Sequence, residues 1–271
     1  MSTDDRGIGS VLVCYVQTLC SRNTMSKIKQ IMNGVEPMRS SSKPRSGPRA
    51  LGLVFILAGA CAWTTLAVQA AKTGSQFLLG PDLAGIERWE EKSFEGNTRY
   101  QKVSLGDKTA LQATSEDSAS GMFRKQRIDL NAFPTLTWQW RLEKGLSDLN
   151  EESKAGDDFA ARVYVVVSDG WFFWQTRTLN YVWSSRVPDK QSWPNPYAPD
   201  NAVMLPLRTR RDAKGVWYSE VRNVQQDLKR YLGKHYDEIE AVAIMTDTDD
   251  SGGSATAYYG DIYFTQENVS P

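Results

Sequence analysis

The chain has 271 residues, 41% hydrophobic and 24% charged, with 32 basic against 32 acidic side chains. That balance hides an asymmetry: residues 1–71 hold 8 Lys and Arg against 3 Asp and Glu, leaving 24 basic and 29 acidic residues, a net of −5, for the rest. A mildly acidic body argues against a nucleic-acid partner, which needs a basic stripe. A single histidine, His235, argues against zinc and a Ser-His-Asp triad, and cysteines confined to Cys14, Cys20 and Cys61 exclude a disulfide framework or thiolate nucleophile downstream.

From the N-terminus, residues 1–37 show no strong periodicity and read as an upstream mis-start or leader. A complete export signal follows from Met38. Arg39, Lys43, Arg45 and Arg49 form a basic head, residues 51–62 an apolar core, and AVQA at 67–70 offers the small residues a signal peptidase reads. The competing reading is an uncleaved anchor over residues 51–68, which Trp63, Thr64, Thr65 and two glycines dilute below an apolar span of about 20 residues. The organisation expected is therefore a leader (1–37), a Sec signal peptide (38–71) and one domain (72–271). The product is periplasmic or secreted, with no stable membrane span after cleavage.

The body predicts strands. TLTWQWRLEK at 135–144 alternates, with Leu136, Trp138, Trp140 and Leu142 on one face. Residues 161–170 set Val163, Val165 and Val167 on one face, and 178–185 do the same with Leu179, Tyr181 and Trp183. Further strands are expected at 109–115, 121–130, 202–209, 241–246 and 255–264. One segment breaks the pattern: in 221–232, Val224, Leu228, Tyr231 and Leu232 recur at helical spacing, and Gly233 supplies a stop. Many short strands with one helix point to a mostly β fold, a two-sheet antiparallel sandwich of jelly-roll type. No phosphate loop or βαβ alternation supports a nucleotide-binding fold.

Three stretches carry candidate chemistry. In KAGDDFAARVY, Asp157 and Asp158 precede a strand bearing Arg162, which can pair with a carboxylate or hold a ligand acid or hydroxyl; the plainer reading is turn aspartates satisfying backbone N–H groups. Residues 171–197 are dense in aromatics, and Trp171, Trp193 and Tyr197, with Asn180, suit a sugar whose C–H faces stack on rings while hydroxyls bond polar groups. Trp193-Pro194-Asn195-Pro196-Tyr197 is a rigid loop and so a stronger binding candidate than a strand residue. Finally, TDTDDSGG groups Asp247, Asp249 and Asp250 as a candidate calcium loop. It is not an EF-hand, since Tyr258 stands at position twelve and the flanks read as strands. The alternatives are a long hairpin whose Gly252 and Gly253 take positive φ, and an acid pair for glycoside hydrolysis drawn from Asp157 or Asp158 with Asp247 or Asp249. The basic run at 208–215 reads as a solvated hairpin end.

The stretches KAGDDFAARVYVVV, LNYVWSS, SWPNPY, RNV and AVAIMTDTDDSGGSATAYYGDIYF, spread from about 94 to 264, together resemble the exported bacterial family named domain of unknown function 3047. The resemblance implies a fold similar to the sandwiches of carbohydrate-binding modules and brings no activity with it. The expected function is non-catalytic binding of a glycan or other cell-envelope polymer. The alternatives are a glycan-active hydrolase or lyase using an Asp pair, and a structural envelope protein. No cofactor is required on this reading beyond the candidate calcium.

Overall fold

The computed structural model describes residues 74–169 and 176–266, which form thirteen strands and one α-helix. In chain order these are β1 (Ser75–Leu79), β2 (Glu90–Glu95), β3 (Arg99–Leu105), β4 (Lys108–Glu116), β5 (Ala119–Asp129), β6 (Thr135–Lys144), β7 (Arg162–Ser168), β8 (Thr176–Trp183), β9 (Trp193–Pro194), β10 (Ala202–Arg208), β11 (Trp217–Asn223), α1 (Val224–Leu232), β12 (Glu238–Asp247) and β13 (Ser254–Thr265). They build a six-stranded sheet, order β11-β6-β13-β4-β3 with β1 beside β13, and a seven-stranded sheet, order β2-β5-β12-β7-β8-β10-β9. The expected two-sheet sandwich is present, although β8 and β10 run parallel. Among the described residues no helix is long and apolar enough to cross a membrane. Trp171 and the signal segment 38–71 lie outside the described residues.

Alternation in the sequence becomes two layers in space. Trp138 and Trp140 of β6 meet Tyr181 and Trp183 of β8 between the sheets, with ring centroids 5.0 Å (Trp138–Tyr181) and 5.7 Å (Trp140–Trp183) apart. Val163, Val165 and Val167 of β7 join Val242 and Ile244 of β12 in the same core. Aromatics of this size bury enough apolar area to dominate such an interface. Val224, Leu228 and Leu232 turn one face of α1 into this core. The helix begins later than its periodicity predicts: Val221–Asn223 finish β11, paired with β6, and the Asn223 side chain caps the helix by accepting from the Gln226 N–H at 2.9 Å. Gly233 ends it at φ 72°, the left-handed cap that glycine adopts without strain.

β12 and β13 belong to different sheets, so Thr248–Gly253 is an arch between layers and not the hairpin the glycines suggest. Of that pair only Gly252 has positive φ, at 64°. In the seven-stranded sheet β7 lies antiparallel to β12, with Arg162 beside Met245, so the head of β7 and the tail of β12 share one end. The outward side of this sheet carries a second apolar cluster, Ala119, Tyr164, Ala243 and Met245 with Phe94, Phe123 and Val166 against it. Phe159, Val182, Trp193 and Met204 form a third cluster beside it.

Candidate functional site

The outward side of the seven-stranded sheet carries candidate chemistry at both ends. At the tail of β12, Asp247 accepts from Arg162 Nε at 2.8 Å and its second oxygen from Arg162 Nη2, a bidentate pair with side chains 1% and 3% exposed. Its first oxygen also accepts from the Phe159 N–H at 3.3 Å. The same guanidinium donates to the Asp157 carbonyl at 2.5 Å, and Asp157 Oδ2 accepts from Asn195 Nδ2 at 2.7 Å. Burial works against the charge of Arg162, but Tyr164, Asp157, Asp158 and Asp249 outweigh it and hold the guanidinium above its ordinary pKa. A bidentate fork suits a carboxylate geometrically, and breaking a buried pair of this kind leaves an uncompensated charge.

Around this pair the arch folds back on the β7 approach. Asp158 accepts from the Asp250 N–H at 3.2 Å and the Ser251 N–H at 2.7 Å, so both its oxygens cap the arch. Tyr197 donates its hydroxyl to Asp250 Oδ1 at 2.5 Å and ties the SWPNPY loop to the same place. Burial first, then the neighbouring Asp158, pushes Asp249 up from 3.8 to about 6. Burial, with Asp249 and Asp158 close by, pushes Asp250 to about 7 against the opposing Tyr197 bond. Asp158, Asp249 and Asp250 each place an oxygen within 4.8 Å of the others. This is the set a cation would meet, with Asp158 in the position the sequence gives to Asp247. The exchange follows from register: Asp247 is the last β12 residue and turns onto Arg162, whereas Asp249 and Asp250 lie in the arch above Asp158. Calcium takes six to eight oxygens, and Asp158 has already committed both of its own to the backbone.

The remaining candidates separate by burial. Asn180 sits on β8 bonded to Thr178 Oγ1 at 3.1 Å and the Val203 carbonyl at 3.0 Å. Trp193 is buried against Phe159 and donates its indole N–H to the Glu151 carbonyl at 3.2 Å, so it is a packing residue and its ring is not offered to a ligand. Of the expected rings among the described residues, Tyr197 alone is part exposed, with Lys154 Nζ 4.9 Å from its centroid. The carboxylate pair expected for hydrolysis would draw on Asp157 or Asp158 with Asp247 or Asp249; the first three are buried and engaged, whereas Asp249 is only part buried.

At the opposite end of the same outward side lies a groove of about 420 Å³ that the sequence reading did not find. It is lined by Glu90, Glu91, Lys92, Phe123, Lys125, Val166, Thr176, Glu240 and Ala241. Lys125, Ala241 and Val166 stand side by side in register across β5, β12 and β7. Ala241, the smallest of the three, makes the depression, and Phe123 and Val166 flank it. The signal lay in the alternation of GMFRKQR, where Phe123 and Lys125 share a face, but nothing in that run says which strands flank β5.

The family model described as "Protein of unknown function (DUF3047)" matches residues 87–263. No curated protein sequence matches the chain. Among solved structures it is similar to the family 30 carbohydrate-binding module of the cellulase Cel9D-Cel44B of Clostridium thermocellum, with 10% identity, 72% of this chain and 99% of that one covered, and a TM-score of 0.44. It is also similar to the CBM22-1 xylan-binding domain of Paenibacillus barcinonensis Xyn10C, with 13% identity, coverage of 73% and 96%, and a TM-score of 0.35. A third likeness, at 11% identity and a TM-score of 0.35, is to the glycoside hydrolase domain of Endo-D from Streptococcus pneumoniae R6; it covers 68% of this chain and 22% of that one. These are likenesses of fold.

Proposed function

The chain belongs to the DUF3047 family, and from that premise we propose that it is a non-catalytic sandwich that binds a glycan or another cell-envelope component in the groove on the outward side of its seven-stranded sheet. The observation that carries the reading is the groove itself. Its volume of about 420 Å³ falls in the range of roughly 300–1,000 Å³ typical of small-molecule sites. Its floor is apolar, from Phe123, Val166 and Ala241, and its rim is charged and hydroxylated, from Glu90, Glu91, Lys92, Lys125, Thr176 and Glu240. A sugar ring has the matching character, with C–H faces for an aromatic floor and hydroxyls that bond carboxylates and ammonium groups. The aspartate-rich end, on this reading, holds the loops in place: Asp247 pairs with Arg162, Asp157 accepts from Asn195, Asp250 from Tyr197, and Asp158 from the backbone of the arch. The same proposal places the mature protein outside the cytoplasm, by cleavage of the segment 38–71.

The test is direct binding to isolated envelope polysaccharides, by pull-down and calorimetry, with Phe123→Ala as the probe. We expect the wild type to bind and the variant to lose at least tenfold in affinity while its melting temperature stays close to the parent's, because Phe123 is part exposed. Failure of the wild type to bind any envelope polymer overturns the reading.

A further inference from the structure

We propose that the groove takes a neutral saccharide chain of several rings laid across the strands, and not a single sugar or an ionic polymer. This deepens the glycan reading and rests on it.

Length comes from topology. The lining residues lie on β2, β5, β12, β7 and β8, five consecutive strands of one sheet. Neighbouring strands are about 4.8 Å apart, so four gaps make a trough about 19 Å long. That is longer than any one sugar ring. It runs from the edge strand β2 inward, perpendicular to the strands, and its lowest point is the Ala241 row at the centre.

Neutrality comes from how the rim spends its charge. Lys125 pairs with Glu90 at 2.9 Å. Glu240 accepts from Arg127 Nε at 3.0 Å. Glu91 accepts from the Ser120 hydroxyl at 3.0 Å, and Lys92 lies 5.2 Å from the Phe94 ring centroid. An anionic chain would meet three carboxylates, and to reach Lys125 it would exchange one solvent-exposed ion pair for another, which yields about nothing net. A hydroxyl-rich chain needs no such exchange: it accepts from the ammonium groups and donates to the carboxylates while the pairs persist. The floor offers only side chains, because the backbone groups of β5, β12 and β7 are already paired on both sides. An extended peptide, which binds chiefly through its backbone, gains little on such a face.

The experiment is a glycan array carrying neutral and acidic glycans from monosaccharide to hexasaccharide. Calorimetry then follows on the neutral series that binds best, at low and high salt, with the wild type, Phe123→Ala and Ala241→Phe. We expect affinity to rise at least tenfold from monosaccharide to tetrasaccharide and then level off, with no dependence on salt. Both variants, the first removing the ring and the second filling the depression, should lose at least tenfold for the longer chain, with melting temperatures confirming that each is folded. A monosaccharide bound as tightly as the chain, preference for acidic glycans with salt-sensitive affinity, or binding that survives both substitutions overturns this inference and leaves the glycan reading standing. Absence of binding to every glycan overturns both.

Discussion

Five aspartates gather around Arg162, and only Asp247 meets its guanidinium fork with a carboxylate. The rest must be satisfied by turn N–H groups, Asn195, Tyr197 or protons. The raised carboxyls of Asp249 and Asp250 make the last option visible in a measurement. A carboxyl whose folded-state pKa lies above its unfolded value holds a proton that the unfolded chain releases. Its stabilising share is therefore complete below about pH 4 and is lost as pH rises through about 6 and 7. We expect the melting temperature to fall between pH 5 and pH 8, and Asp250→Asn to recover about 1 kcal/mol of that loss at pH 8, the full shift being discounted for solvent screening. Thermal melts of the two proteins across that range check it. Equal pH slopes would remove Asp250 from the account, and a rise on adding calcium at pH 8 would reassign the cluster to a cation. The importance of these aspartates was legible in the sequence, but their division of labour was not. Which of them meets Arg162 depends on the antiparallel register of β7 and β12, and register leaves no trace within either strand.

Strands with an apolar face turned to the core announced themselves by alternation, as β6, β7 and β8 did. Those at the margins did not. EEKSFE of β2 and RYQKVSL of β3 have no fully buried residue, and WYSEVRN of β11 buries only Glu220 and Asn223, so none shows the apolar period of two that marks a half-buried strand. The groove was missed for the same reason, since β2 forms one end of it. A connector of equal consequence is the short 3₁₀ turn Lys154–Gly156 that delivers Asp157 and Asp158. A side chain on Gly156 would place Cβ 2.5 Å from the Asn150 carbonyl oxygen and 2.7 Å from its carbon, both backbone atoms that cannot swing aside. Gly156→Ala should therefore shift the turn and cost about 1–3 kcal/mol, as overpacking generally does. Denaturant unfolding measures that loss. A variant as stable as the parent would mean that the turn has slack its contacts do not suggest.

For the molecule as a whole, the N-terminal reading predicts a chain that begins near Ala71 once it has left the cytoplasm. N-terminal sequencing of the protein recovered from its native host decides this, and a chain still carrying residues 51–68 would favour the anchor. β1 begins at Ser75, only a few residues beyond that site, and it pairs with Tyr263, Phe264 and Thr265 of the last strand. β13 in turn lies between β4 and β6 in the middle of the six-stranded sheet. The first and last described strands are thus neighbours, and the central seat of one sheet stays vacant until β13 has been made. Loop closure on that scale is slow and cannot be anticipated by any shorter fragment. On the export reading proposed above, such a chain would have no finished six-stranded sheet to unmake in a translocation pore before β13 emerges.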